Sequence, residues 1–475
     1  YDVSIGAVAA DGRFSGMLGA SYVEEMPVYA GDREISALAV AGAPGVGNSS
    51  TVPNGRFGFG YAACQNQNAL GQPLWINPDT GAATSLVPTF DDEGNELKSM
   101  IAGGNQRPQS GGGTGNTPYC RSGTITRDSA NDPLRLRTGA DTYNFAPDNY
   151  LITPQERIST YARGRFQITD NVAFDAAVTY NNRKSEQLLA AMPVTGGLVV
   201  GGGQTASLFI SQYSQYNPFG EDITRFQRRV VETGGRSFKQ NVDTFGFSGA
   251  LEGTFEVGER FFSWDAGMVY ANNDQNDTTE GLFNVLALRQ AIGPSQGGQC
   301  YTTATPGANP GDPVVYSGLI AGCVPINLTG GVGTITPEML AFNSFVAHDT
   351  YGYKMQQYFA NISGDIVELP GGMMSFAAGL EHRVESGFDS PDALINSGNT
   401  TGNARTATEG QYSLNEVYLE LAVPLLKDVF LAESLELSLA TRYSDYSNFG
   451  STTNNKIGFK WKPIESLLVR GNWSE

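Results

Sequence analysis

In SLELSLATRY, residues 434–443, Leu435, Leu437, Leu439 and Tyr443 fall on one parity, with Glu436, Ser438 and Arg442 on the other. NNKIGFKWK repeats the pattern, setting Ile457, Phe459 and Trp461 against Lys456, Lys460 and Lys462. In MMSFAAGLEHRVE, Met374, Phe376, Ala378, Leu380 and Val384 oppose Ser375, Glu381, Arg383 and Glu385. FFSWDAGMVY sets Phe262, Trp264, Ala266, Met268 and Tyr270 against Ser263 and Asp265. Successive side chains of a strand point to opposite faces, so each run predicts a strand with one apolar and one polar face.

These runs come in pairs: 1–9 with 13–24, 157–168 with 172–181, 238–255 with 260–272, 353–369 with 373–384, 412–425 with 435–446, and 454–462 with 467–473. The joints are short and most carry Gly, Asp, Asn or Pro, as hairpin turns require. Between pairs the connections are long, at about 25–156, 185–236, 274–351 and 389–410. Short turns at one end and long loops at the other are the pattern of an outer-membrane β-barrel. Loops of that length count against a compact soluble domain. Strands of nine or more residues suffice to cross a bilayer at a tilt. Tyr443, Tyr446, Trp461 and Trp473 lie near strand ends, where amphipathic rings meet headgroups. The expected fold is therefore all-β, a transmembrane antiparallel barrel spanning 1–475, with short helices in its long loops. The alternative is a soluble sandwich, whose apolar faces turn inward.

Composition narrows the function. Only 16% of the residues are charged, Gly numbers 59, and the longest charge-free run, Gln187 to Gly220, is broken by Pro and Gly and makes no membrane helix. Net charge is −18, which makes nucleic acid an unfavourable partner. With two histidines, His348 and His382, there is little material for histidine chemistry or a His-rich metal site. No catalytic constellation is present, so neither an enzyme, a metal site nor a cofactor is expected. The triplets Gly111–Gly113 and Gly201–Gly203 lack the following G-K-[ST] of a phosphate loop. The acidic runs DDEGNE (91–96) and NNDQNDTTEG (272–281) lack the calcium-loop pattern and read as solvated loop. Each neighbouring pair of the four cysteines shares one irregular region, so Cys64–Cys120 and Cys300–Cys323 are the expected disulfides. Disulfides imply an oxidising compartment. In loop 280–345, GLFNVLALRQAIG places Leu282, Phe283, Leu286 and Ile292 on one side of a helix, and a second helix starts at Thr336-Pro337. The two helices suggest a compact lid, with Cys300–Cys323 holding the segment between them.

Several stretches resemble the TonB-dependent receptors of Gram-negative outer membranes: NEVYLELAVPLLKD, LELSLATRYSDYSNFGSTTNNKIGFKWKPIESLLVRGNWSE, NPFG (217–220), CVPINLTGGVGTITPEMLAF (323–342) and FAAGLEHRVESGFDSPD (376–392). The resemblance implies about twelve strands of a barrel of roughly 22, with plug, TonB-contact segment and closing strands outside this sequence. It implies active uptake of a scarce ligand (a siderophore, vitamin B12 or an oligosaccharide), with the TonB complex, outer-membrane lipid and that ligand as partners. A passive porin and, further off, a secreted β-rich adhesin are the rival functions. Among the inward charges, Glu381, Arg383, Arg442 and Arg470 become candidates for the plug-facing wall. LFISQYSQYNPF spaces Phe209, Tyr213 and Tyr216 three or four residues apart, on one face if helical. With Gln212 and Gln215 they would suit a sugar or a neutral chelate.

Overall fold

The computed structural model describes residues 1–58, 124–130, 139–196, 208–218, 222–309 and 312–475, with short pieces at 75–76, 83–84, 88–90, 96–98, 132, 135–137, 199–200 and 204–205. Cys64, Cys120, both glycine triplets and most of the 91–96 acidic run lie outside them.

Twelve strands form one antiparallel sheet: β1 (Asp2–Val8), β2 (Phe14–Glu25), β3 (Gln155–Thr169), β4 (Val172–Leu189), β5 (Arg236–Val257), β6 (Arg260–Phe283), β7 (Ser344–Leu369), β8 (Gly372–Ser390), β9 (Thr408–Val429), β10 (Ala432–Tyr446), β11 (Gly450–Ile464) and β12 (Leu467–Ser474). Each pairs with its neighbours in sequence, and β1 and β12 do not pair with each other. The sheet is antiparallel throughout and is not closed.

The pairing register joins the alternating patterns into two continuous faces. On the outer face Leu435, Trp461 and Val469 form one row, and Leu437 and Phe459 the next. Further round the same face are Ile362, Leu380, Leu419 and Val417, all more than a third exposed. On β5 the apolar outward positions run from Phe245 to Phe255. At ~3.3 Å per residue this is roughly 33 Å of strand, or about 25 Å of height at a tilt of ~40°, the height of a membrane barrel's apolar band. Tyr22, Tyr180, Tyr270, Tyr358 and Tyr443 stand outward near its upper edge. Gly253 serves this face. An added Cβ would lie 2.7 Å from the Trp264 indole, which crosses the strand there.

Above the band the strands continue. β6 takes in the acidic run 272–281, which is paired strand and not the expected solvated loop. The cause is lateral pairing of polar side chains. Asn273 Nδ2 donates to Thr244 Oγ1 at 2.8 Å and Lys239 Nζ to Glu280 Oε1 at 2.9 Å, and on the neighbouring pair of strands the Tyr180 hydroxyl donates to Asp243 Oδ1 at 2.6 Å. A strand in water needs no apolar face, so composition alone concealed these extensions.

The buried core lies in the long connections at this end. Phe57, Val194, Leu208, Ile223, Phe226, Leu288, Ile292, Ile326, Leu328 and Ile395 belong to one apolar cluster. The first two long connections supply a five-stranded sheet, in the order Arg135–Leu136, Thr124–Thr126, Arg56–Gly58, Arg225–Arg229 and Pro193–Thr195. The third supplies helices α1 (Val285–Ala291) and α2 (Pro337–Asn343). The fourth supplies α3 (Ala393–Asn396). α2 begins as expected, with Thr336 as its cap and Pro337 in the first turn. α1 differs: Asn284 caps it, accepting from the amides of Leu286 and Ala287, so Leu282 and Phe283 end β6 instead. This turns Leu286 outward, 45% exposed, and buries Val285, Leu288 and Ala291.

Candidate functional site

The inner face of the sheet carries an ordered polar wall. Asp265, Asn361, Gly379, Tyr418 and Arg442 occupy one register row across β6 to β10. The Arg442 guanidinium lies over the Tyr418 ring, 5.4 Å from its centroid. The Tyr418 phenol donates to Asn361 Oδ1 at 2.8 Å, and Asn361 Nδ2 donates to Asp265 Oδ2 at 2.8 Å. Gly379 makes this possible, because a Cβ there would overlap both the Tyr418 ring and the Asn361 amide. Towards the loop end, Arg383 Nε stands 3.0 Å from Glu385 Oε1 and its Nη1 3.8 Å from Glu381 Oε1. The Tyr353 hydroxyl donates to Glu385 Oε2 at 2.7 Å. Glu416 accepts from the Ser444 hydroxyl and faces Arg442 Nη1 at 3.7 Å.

Glu381 and Arg383 therefore belong to one ion-paired group and Arg442 to a second beside it, the two adjoining where Glu381 lies opposite Glu416. Arg470 shares their face but sits at the far edge of the sheet, opposite Lys460, and joins neither. Tyr353, Tyr418, Asn361 and Asp265 are the members that sequence reading missed as a group. Parity held the clue, since Tyr418 stands between outward Val417 and Leu419 and in step with Glu416 and Glu420.

At the loop end of this wall, Arg405 Nη2 pairs with Asp349 Oδ2 at 2.5 Å, and its guanidinium covers the Tyr351 ring at 5.3 Å. Asp349 Oδ1 also accepts from the Asp392 amide at 2.8 Å. Asp349, Tyr351 and Asp389 are inward-facing, so the fourth connection is fastened to the inner side of the mouth.

The proposed aromatic helix at Phe209–Tyr216 is not helical. The segment is a run of turns, with Asn217 Nδ2 donating to the Ser211 carbonyl at 2.9 Å. Phe209, Gln212 and Gln215 are exposed and Tyr213 and Tyr216 half-buried. Ser and Asn side chains here satisfy backbone groups locally, which competes with a helix. Gln215 Oε1 accepts from the Gly298 amide at 2.9 Å, and the Tyr213 carbonyl accepts from the Ser295 amide at 3.0 Å and the Tyr316 hydroxyl at 3.3 Å. The segment thus seats on a small sheet of Ser295–Gln296, Gln299–Thr305 and Val315–Ile320. Tyr213 gains different aromatic neighbours. The Tyr301 and Tyr316 rings are 5.2 Å apart, and burial, with Tyr213 and Tyr301 close by, pushes the Tyr316 phenol up. Cys300 and Cys323 are bonded at the base of this arm, with Cα atoms 5.8 Å apart.

A fourth grouping locks the connections together. Arg228, fully buried, donates from Nη2 to Glu232 Oε1 at 2.7 Å and to the Gly331 carbonyl at 2.6 Å. Glu232 Oε1 also accepts from the Gly333 amide at 2.9 Å, and Asn54 Oδ1 from the Val332 amide at 3.0 Å. The turn 330–334 is thereby held by the other two connections. Burial draws the Arg228 pKa down to about 10 while Glu232 pulls it back up, so the guanidinium stays charged at neutral pH. Among the described residues no group of three or more His, Cys, Asp or Glu could hold a metal ion.

Residues 326–475, about a third of the chain, match the family described as TonB dependent receptor-like, beta-barrel. No curated protein matches. Among solved structures, the ferric-catecholate import receptor Fiu from E. coli K12 is 10% identical, with a TM-score of 0.35, over 100% of this chain and 56% of that one. The RagAB peptide transporter is 10% identical, TM-score 0.35, over 68% and 33%. BauA, the ferric preacinetobactin receptor from Acinetobacter baumannii, is 12% identical, TM-score 0.25, over 68% and 45%. The chain thus spans between a third and just over half the length of these proteins. What this similarity establishes is a β-rich chain whose residues 326–475 carry the barrel pattern of TonB-dependent receptors, on a sheet that is not closed.

Proposed function

We propose that the chain, 1–475, is barrel wall and external cap of a TonB-dependent receptor in a Gram-negative outer membrane, importing a scarce ligand with energy relayed through the TonB complex. The observation that carries this reading is the division of twelve strands into a lipid-height apolar face and a hydrogen-bonded polar face, in a chain whose residues 326–475 match the receptor family. The two faces suit lipid outside and, inside, a plug held by the Glu381–Arg383 and Arg442 groups, with Arg470 nearer the short-turn end.

The ligand belongs to the classes such receptors admit: siderophore, vitamin B12 or oligosaccharide. On the cap, Tyr213, Tyr301 and Tyr316, with exposed Phe209 and Gln212, offer aromatic and amide groups. These suit a sugar or a neutral chelate, with Tyr216 and Gln215 supporting the platform. The test is ligand uptake in cells carrying the intact protein, with and without a protonophore. Loss of uptake with retained binding supports active import. Uptake that persists without the gradient would make the protein a passive porin.

A further inference from the structure

Six turns close the short-turn end of the sheet, and five have polar or turn-forming tips: Asp11-Gly12, Asp170-Asn171, Gly258-Glu259, Pro370-Gly371 and Glu465-Ser466. The sixth, between β9 and β10, is Phe430-Leu431. Phe430 is 91% exposed, the highest value for a large apolar side chain away from the N-terminus among the described residues, and Val429 and Leu431 are about half exposed. The turn is also conformationally costly. Leu431 has φ 60° and Asp428 φ 54°, the two non-glycine residues with positive φ among those described. Gly, Asn or Asp ordinarily fill such positions, because a larger L-residue clashes there. Leu at the tip thus conflicts with both solubility and backbone preference.

The outer face explains what the tip meets. Trp461, in the lowest aromatic row of that face, donates its indole N–H to the Leu431 carbonyl at 2.8 Å. Leu426, Leu435 and Trp461 form one register row directly above the turn. Between that row and the tip stand Lys427, Asp428, Glu433 and Ser434, with Glu433 Oε1 3.3 Å from Lys462 Nζ, so Trp461 bridges the apolar band to the tip across a narrow polar step. Indole rings favour the boundary between acyl chains and headgroups.

We propose that Phe430-Leu431 is a lipid wedge, seated at the headgroup boundary of the periplasmic leaflet and fixing the depth of this part of the sheet in the membrane. The proposal rests on the outer-membrane reading above. It is tested in the intact protein, reconstituted in phosphatidylethanolamine–phosphatidylglycerol vesicles, with a nitroxide on Phe430→Cys. Phe459→Cys, on the apolar band, and Asn171→Cys, on a polar turn at the same end, are the references. Oxygen concentrates in lipid and a nickel chelate stays in water. The expected result is a label at 430 several-fold more accessible to oxygen than to nickel, at a shallower depth than 459, with 171 nickel-accessible. A label at 430 as nickel-accessible as 171, beside a lipid-exposed 459, would overturn the wedge alone. Shielding at 430 from both reagents would also overturn it, in favour of a protein partner. A nickel-accessible 459 would bring down the membrane reading and the wedge together. Each variant is checked for the heat-modifiable mobility of a folded barrel before labelling.

Discussion

Single positions show how strictly the two faces are kept. Phe459 and Lys460 are adjacent, yet Phe459 packs in the outward row with Leu437 while Lys460 Nζ pairs with Glu436 Oε1 at 3.2 Å on the other side. Arg at Phe459 in the intact protein is expected to cost about 2–4 kcal/mol near the midplane, and Arg at Lys460 little. Refolding titrations into lipid vesicles check this, and equal stability of the two variants would reverse the faces. Gly379 carries a second expectation. Gly379→Val should displace the Tyr418 phenol from Asn361 and loosen the wall around Arg442. Raised entry of a large antibiotic in Gly379→Val cells, with normal protein levels, is the expected readout, and Gly379→Ala should be milder. Most of this scale was legible from parity alone. What was not legible is which inward groups touch, because register decides that: Arg442 reaches Glu416 and Tyr418, whereas Arg470 has only Lys460 opposite it.

Elements followed the sequence where alternation was strong and departed from it where both faces are polar. The strand pairs near the short turns stand where period two put them. Their upper halves, such as Asn272 to Glu280, are polar on both faces and carry no such signal, although hydrogen bonds across the sheet make them strand. Helix α1 forms but starts late for a local reason, since Asn284 caps it three residues later than an apolar stripe starting at Leu282 requires. The Phe209–Tyr216 segment failed because Ser211 and Asn217 fold it into turns. In the cap, the arm 284–343 is closed on itself by Cys300–Cys323 and held to its neighbours by Arg228–Glu232. Glu232→Gln leaves a buried guanidinium without its counter-charge, a change typically worth about 3–5 kcal/mol. Limited proteolysis of the intact protein should show new cleavage in 284–343, while the barrel keeps its heat-modifiable mobility. Cys300→Ser with Cys323→Ser should open the arm itself, by an amount typical of a disulfide, about 2–4 kcal/mol. Arg228 was not foreseeable as a fastener, because beyond nearby Glu232 it reaches the Gly331 carbonyl, 103 residues away in the chain.

At the scale of the whole molecule, the usual layout of a globular protein is reversed. The sheet has its apolar side outward and its ion pairs inward, and the buried core is confined to the cap above the band. On the proposed outer-membrane reading lipid covers the outer face, where Phe459, Ile457, Leu419 and Leu380 are otherwise left to water. An unclosed edge in hydrocarbon leaves backbone groups unpaired at several kcal/mol each, so β1 and β12 require further strands beside them in a membrane. The most direct measurement is a cysteine scan from Lys456 to Trp461 in the intact protein in native outer membranes, read as labelling rate by a water-soluble thiol reagent. The account predicts alternation, with positions 457, 459 and 461 shielded by lipid and 456, 458 and 460 labelled once the plug is unfolded by denaturant. Uniform labelling, or shielding at 456, 458 and 460 with 457, 459 and 461 open, would contradict it.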